Sequence, residues 1–496
     1  MGGTTQEIWL ANMRRTIVLP LWFMVSLTAP VWAQPVDPAV NRDAAAASEP
    51  KESVARPEQD ESRQADQAAD DAGPAPGQNG SAAVTKPAKR TFRFEFKTHP
   101  SIRAGQWFRM DLRLKFQHDF RSFSPEVTTD EGELSNLRKF RVGVQGYLTK
   151  NLEYEVEREL RNEVADFFNL RHRETHALLR DAYGNFRYFR RAQIRFGQFK
   201  IPFGLDQLHY STNGEFVNRS LIGNYLAPGR DVGIMLHGKL ADSRIAYQAG
   251  LFKHDGWKAH TKDYSPSGER TLAGRIVIPP FSFVQPGFLK LFKDLQMGAA
   301  VADSPITEGL RSLRGRTWVI THNWFDRINV RGHRLRAGAE LNWEPGPFVV
   351  KSEVIRVRDQ RLGQGIRGDD LPDLIGRGWY FTTGWVVTGE KTAGGVNPRK
   401  DFLTGHGIGA IQIAARYEQL RFGSSEHLGL PSRSSRAVNL VSESERVATF
   451  GVNWFLNRFT RVQFNAYREV IEDIEKTPIR GIDTYWSRYV RIQFVL

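Results

Sequence analysis

The chain has 496 residues, of which 40% are hydrophobic, 25% charged and none cysteine, and it carries a formal net charge of +14. Without thiols it builds neither a disulfide framework nor cysteine-type zinc or iron–sulfur sites, which suits passage through an oxidising compartment. A mean hydropathy of −0.45 excludes a bundle of membrane helices, because no stretch of the mature chain approaches the roughly 18 uncharged apolar residues of a spanning helix; a transmembrane barrel escapes that limit, since only alternate residues meet lipid.

The chain opens on a leader. Met13, Arg14 and Arg15 begin a basic segment, residues 17–27 are apolar except for Pro20 and Ser26, and Val31-Trp32-Ala33 fits a small-residue cleavage site before Gln34. This pattern predicts a secretory signal peptide over 1–33, and the apolar run is too short for an anchor. Met13 is an alternative start, and Arg14-Arg15 is compatible with twin-arginine export, although two arginines are ordinary in any leader. Residues 34–90 are rich in Ala, Asp, Glu, Gln and Pro and almost free of aromatics. Such a segment buries too little surface to offset its ordering entropy, so it reads as a disordered periplasmic tail. The remaining 91–496 hold 60 basic and 44 acidic side chains, a net +16. The positive charge therefore belongs to the folded part, where it is either a solvated basic surface or a field that attracts anions.

From residue 91 the texture changes. Phe92, Phe94 and Phe96 either extend the first strand or precede it. Phe108, Met110, Leu112, Leu114 and Phe116 then alternate with Arg109, Asp111, Arg113 and Lys115. Successive strand residues face opposite sides, so one side is apolar and the other charged. The same alternation recurs at 140–144, 152–156, 195–199, 335–341 and 461–465. A soluble sandwich seldom runs to this length as one unit or carries so many charges on its polar faces. The pattern fits apolar-out, polar-in strands around a wet lumen.

Connections sharpen this reading. Short turns fall at 149–151, 190–191 and 241–243, and long stretches near 118–137, 161–177, 202–230 and 254–269. Outer-membrane barrels alternate short periplasmic turns with long outer loops and take an even strand number, and the count here comes to about sixteen. Two connections, near 280–294 and 389–407, are long for periplasmic turns. Trp379-Tyr380-Phe381, Trp454-Phe455 and Tyr485-Trp486 suit the aromatic girdles of a barrel. Apolar residues at 490, 492, 494 and 496 suit a closing strand. Such proteins usually end in an aromatic residue read by the barrel-insertion machinery; here Leu496 is last and Phe494 lies two before it. The fold class is thus an all-β transmembrane antiparallel barrel in the bacterial outer membrane, over 91–496, in contact with outer-membrane lipid.

Several blocks resemble the phosphate-selective porin O and P family. They are 196–204 (Phe196-Gly197-Gln198-Phe199-Lys200-Ile201-Pro202-Phe203-Gly204) followed by Asn218-Arg219-Ser220 and 228–233, then 378–391 followed by 414–417, and finally 450–457. The resemblance spans about 92–496 in block order. It implies a sixteen-stranded homotrimeric porin with inward-folded loops, carrying small anions of which phosphate or polyphosphate is the best known.

The third long connection, 202–230, is the one that commonly folds into such barrels. It carries Arg219 and Arg230, with Lys200 at its base and His209 and Tyr210 inside it. Guanidinium forks match phosphate oxygens, and a pore works best with several moderate sites rather than one deep one. Arg109, Arg113, Lys115, Arg141 and Arg195 face inward on the strand pattern and are candidates for such a ladder. The alternative is that these cations pair with lumen acids to hold the wall, and that Arg230-Asp231 braces a loop. Other signals are bland. His172 and His176 around Glu174 lack the zinc-protease pattern, and Gly405, Gly407 and Gly409 lack the strand–turn–helix context of a nucleotide site. Arg367-Gly368-Asp369 is a trio of ordinary loop residues. No catalytic triad, metal set or cofactor motif stands out, so no enzyme, metal or cofactor is expected, and export argues against a nucleic-acid partner. A barrel enzyme would need an organised nucleophile and base; a plugged structural barrel would carry balanced ion pairs and conduct nothing.

Overall fold

The computed structural model describes residues 92–96, 99–126, 135–161, 179–209, 212–241, 244–256, 270–282, 291–318, 322–402 and 404–496. The signal peptide expected over 1–33, the tail over 34–90, the His172–Glu174–His176 group and Tyr210 lie outside the described residues.

A short hairpin, β1 (Arg93–Phe96) and β2 (Pro100–Ala104), comes first. It is followed by β3 (Phe108–Ser124), β4 (Ser135–Thr149), β5 (Leu152–Glu159), β6 (Leu179–Phe189), β7 (Ala192–Lys200), helices α1 (Leu205–Leu208) and α2 (Leu221–Tyr225), β8 (Arg230–Leu240), β9 (Ile245–Phe252), β10 (Thr271–Ile278) and β11 (Gln296–Leu310). A second small hairpin, β12 (Gly315–Arg316) and β13 (Asn323–Phe325), precedes β14 (Asn329–Trp343), β15 (Phe348–Arg361), β16 (Leu371–Val386), β17 (Ala410–Ser424), β18 (Glu443–Phe455), β19 (Thr460–Ile471) and β20 (Thr484–Val495).

Apart from the two small hairpins, each strand pairs antiparallel with the next, β11 with β14, and β20 returns to β3. The described residues thus form a closed barrel of sixteen strands, and closure removes the unpaired edges that an open sheet would present. The alternation read from the sequence sets the faces. On β3, Asp111, Arg113, Lys115, Gln117 and Asp119 are buried inside while Leu112 and Phe120 are exposed outside. On β14, Arg334, Arg336 and Glu340 point in and Leu335, Ala337 and Ala339 out.

Two boundaries differ from the sequence reading. The connection expected from residue 118 begins only after Ser124, because β20 pairs with β3 from Lys115 to Ser124. Residues 92–96 precede the first barrel strand rather than extend it: β2 pairs with β3 at 108–111, in line with β20, whose end is met by Leu114 bonding Leu496 in both directions. The aromatic clusters are also split. Trp379, Phe381, Trp454 and Trp486 face outward, whereas Tyr380, Phe455 and Tyr485 are buried inside, since neighbours along a strand alternate sides.

The two long connections on the short-turn side are real. Residues 387–409 fold across their neighbours. Thr392 N donates to Gly346 O at 2.9 Å, Phe402 N to Leu456 O at 2.8 Å, and Trp454 Nε1 to Ile408 O at 2.7 Å. Gly409 sits at φ +75° where this segment enters β17, so the glycine there serves a tight turn.

Candidate functional site

The connection between β7 and β8, residues 201–229, lies inside the barrel, and almost all of its described residues are buried. It carries its own scaffold. Ser220 caps α2 by accepting from Gly223 N at 3.1 Å. Ser220 N and Oγ in turn donate to Asp206 Oδ2 at 2.7 and 2.9 Å, which ties α1 to α2. Gly223 has to be glycine, because a Cβ there would lie 2.5 Å from Asp206 Oδ2. Burial works against ionisation of Asp206, but Arg219, Arg416 and the Ser220 bonds outweigh it and hold the carboxyl below its ordinary range.

The far wall grips this loop by its backbone. Glu353 of β15 accepts from Leu205 N at 3.0 Å and Asp206 N at 3.2 Å. Glu418 of β17 accepts from Leu221 N. Arg416 donates to Asn218 O and Arg219 O, both at 3.2 Å. Arg461 of β19 reaches Gly214 O at 3.0 Å and Thr212 O at 2.7 Å, and Arg491 of β20 reaches Val217 O at 3.0 Å. The wall is flattened to receive α2: a Cβ on Gly378 would come 2.5 Å from Ile222 Cγ2. That packing is a physical reason for the glycine that heads the 378–391 block.

The eight cations singled out in the sequence lie on β3, β4, β7 and β8 or in this loop. Arg109 bonds Asp111 at 2.9 Å. Arg113 pairs with Glu155, and Lys115 with Glu157 at 2.6 Å. Arg141 bridges Glu157 at 3.2 Å and Glu159 at 2.8 Å. Arg230 forms a two-pronged pair with Asp181 of β6 rather than with Asp231, which instead meets His254 at 3.1 Å. Arg219 donates to His209 O at 2.6 Å and lies 3.9 Å from Asp206. Lys200 donates to Leu208 O at 3.0 Å and His209 O at 3.3 Å. Arg195 lies over the Tyr183 ring at 4.3 Å. Glu153, Glu155, Glu157 and Glu159, alternate residues of β5, form the acidic half of this wall, which the sequence reading did not single out.

A second inserted segment, 311–328, also went unread, because its strands are only two and three residues long. Trp318 N donates to Glu469 at 2.8 Å, Trp324 Nε1 to Glu445 at 2.7 Å, and Trp318 stacks on Tyr225 of α2 at 5.7 Å. Two tryptophans in an otherwise basic loop were the available signal. The segment crowds guanidinium groups. Burial, then Arg316 and Arg327, push Arg314 down to about 8. Burial, then Arg316, Arg334 and Arg311, push Arg327 down to about 10.

On the short-turn side of loop 201–229 lies a cavity of about 200 Å³, whose lining includes His209, Glu215, Lys351, Arg458 and Arg461. Burial and the cations Lys351, Arg219, Arg275 and Lys200 hold His209 well below its ordinary value, so it is neutral near neutral pH.

The family model for phosphate-selective porin O and P matches residues 108–484, from the start of the first barrel strand to the start of the last. No curated protein matches the chain. Among solved structures, it is similar to an anion-selective porin from Comamonas acidovorans at 10% identity, over 78% of this chain and 99% of that one, with a TM-score of 0.48. It is similar to the outer membrane channel DcaP of Acinetobacter baumannii at 9% identity, over 78% and 97%, with a TM-score of 0.47. OmpT of Vibrio cholerae, an outer membrane protein in its trimer form, is similar at 10% identity, over 78% and 99%, with a TM-score of 0.45.

Proposed function

Because the chain belongs to the phosphate-selective porin O and P family, we propose that this outer-membrane barrel is a channel for passive uptake of small anions, phosphate or polyphosphate above all. The observation that carries the anion preference is the crowding of Arg314, Arg316 and Arg327 in the inserted segment 311–328. Burial is the first cause of the lowered pKa values of Arg314 and Arg327 and the neighbouring guanidinium groups the second, and an anion among them would offset both. Their planar forks suit phosphate oxygens. Several such contacts of moderate strength let an anion enter and leave. Arg219, Lys200 and Arg195 on the third loop and its base are the next candidates along the path. Arg109, Arg113, Lys115, Arg141 and Arg230 face the lumen with carboxylate partners, so their part in the path is to hold the wall and shape its field. No catalytic group, metal or cofactor takes part.

The reading includes export by the 1–33 leader, insertion by the barrel machinery and assembly as a homotrimer. The test is planar-bilayer recording of the refolded full chain. We expect anion-selective steps whose chloride current falls as phosphate is titrated from micromolar to millimolar. The double variant Arg314→Ala/Arg327→Ala should weaken that block about tenfold or more, and Arg219→Ala less. Anion-selective steps indifferent to phosphate would leave a general anion pore. Well-folded barrels that pass no current would overturn the channel reading.

A further inference from the structure

The outer face of β15–β20 carries a band of arginines that the channel reading does not use. Arg356 of β15, Arg377 of β16 and Arg421 of β17 stand directly opposite one another in register. Arg446 of β18 pairs with Gln419, Arg468 of β19 with Ala448, and Arg488 of β20 with Ala466. Each of these last three is thus one diagonal step from the arginine before it. Arg356, Arg377, Arg446, Arg468 and Arg488 are exposed, and no described residue forms an ion pair with any of them. Arg421 donates to Ser442 Oγ at 2.9 Å, and the one carboxylate it meets is Glu472, at 3.9 Å. Asp373, the one acidic residue on the outer face of these six strands, is already paired with Arg358.

This arrangement is unfavourable for the chain alone, because like charges directly opposite across strands repel. It is also confined in height. Every one of these arginines lies in the long-loop half of its strand, and below them the outer face turns apolar: Trp379, Phe381, Tyr417, Phe450, Phe464 and Ile492. From Arg446 down to Trp454 is eight residues, roughly 26 Å of strand and about 20 Å along the membrane normal at the usual tilt. An arginine at mid-bilayer is strongly disfavoured and one at the interface hardly at all, so the band marks the level of the outer-leaflet headgroups. Over six strands it covers about 24 Å of perimeter, wide enough for several headgroups.

We propose that this band is a binding surface for phosphate-bearing lipid headgroups of the outer leaflet, which supply the counter-charges the protein lacks. The proposal rests on the outer-membrane placement but not on channel activity. Acyl chains would lie on the apolar residues beneath while the phosphates meet the guanidinium forks.

The test uses the refolded full chain in bilayers and the triple variant Arg356→Gln/Arg377→Gln/Arg421→Gln. Retention of bisphosphorylated lipid A after detergent extraction is compared with retention of its dephosphorylated form. Near an anionic surface each arginine contributes roughly fivefold to association, so the triple variant should bind on the order of a hundredfold more weakly. The matching Arg→Lys triple variant should keep most of the binding and controls for folding. Conductance of the Gln variant should be unchanged, which separates failure of this proposal from failure of the channel reading. Equal retention of both lipid forms by the parent protein would overturn the proposal. So would a Gln variant that keeps its lipid but loses its oligomer, since the band would then face a second copy of the chain.

Discussion

Arginines on the two faces of the barrel live under opposite rules. Those inside are held. Arg113, Arg141 and Arg230 on the near wall meet carboxylates, and Arg416, Arg461 and Arg491 on the far wall clamp carbonyls of the inserted loop. Those outside on β15–β20 are largely left to whatever surrounds the protein. The alternation of faces is the same in both cases, but inside the charges recur along most strands while outside most of these strands carry a single arginine. The medium differs as well. A lumen crowded with folded-in loops cannot leave a buried cation without an acceptor, whereas a headgroup layer brings its own anions. Net charge therefore says little about conduction until the paired arginines are set aside.

The sharpest way to break this contrast is to remove a clamp. Arg334 is fully buried and bonds Asp359 at 2.6 and 2.7 Å and Asp255 at 2.6 Å. Arg334→Ala leaves two buried carboxylates short of a partner and should destabilise the barrel by about 3–5 kcal/mol, read as a lower urea midpoint for the folded protein in vesicles. A milder break acts on packing. Gly378→Ala puts a methyl 2.3 Å from Gln419 O of the neighbouring strand and 2.5 Å from Ile222 Cγ2, and should cost about 1–3 kcal/mol. Because it lifts α2 from the wall, it should also change single-channel conductance and make residues 201–229 easier to cleave. An unchanged conductance would mean that this loop does not set the width of the path.

Much of the barrel was legible because its signal is local. The alternation at 108–116 and 335–341 fixed faces and register style, and turn lengths fixed the strand count to about sixteen. The end of β3 was not legible, since residues 121–124 pair with β20, at the other end of the chain, and not with the neighbouring β4. The lumen cations were readable as inward-facing, yet their partners were not. Arg230 sits beside Asp231 in the chain but reaches Asp181 across the sheet. The arginine crowding of 311–328 escaped because those groups come together only when the segment folds in. The outer band escaped for the converse reason: each of its arginines looks like a flaw in an apolar face until six strands are set side by side.

Acid should loosen the inner network in one direction. His209 is held well below its ordinary value of 6.5, so the unfolded chain binds the extra proton as pH falls below about 6.5 and stability declines from there. Asp206 is held below its ordinary 3.8, so its contribution is present above that value and fades as pH falls through the lower folded value. Both losses add. Protection of the loop should be flat from pH 8 to 7 and fall below about 6.5. His209→Gln should remove the earlier part of that loss and leave the later part, measured by hydrogen exchange over 201–229 as a function of pH.

The smallest effect is the most discriminating. Arg377 stands directly between Arg356 and Arg421, and each opposed like-charge pair is unfavourable by about 0.2–1 kcal/mol. In a zwitterionic or detergent medium, Arg377→Gln should therefore be neutral or stabilising by a few tenths of a kcal/mol, the reverse of what Arg→Gln does at a carboxylate-paired lumen arginine such as Arg334. In bilayers holding bisphosphorylated lipid A the sign should invert, because the substitution then removes a favourable contact of about 1 kcal/mol. The urea midpoints of parent and variant, measured side by side in the two media, should cross. Parallel shifts in both media would mean that the outer arginines answer to the protein rather than to the lipid.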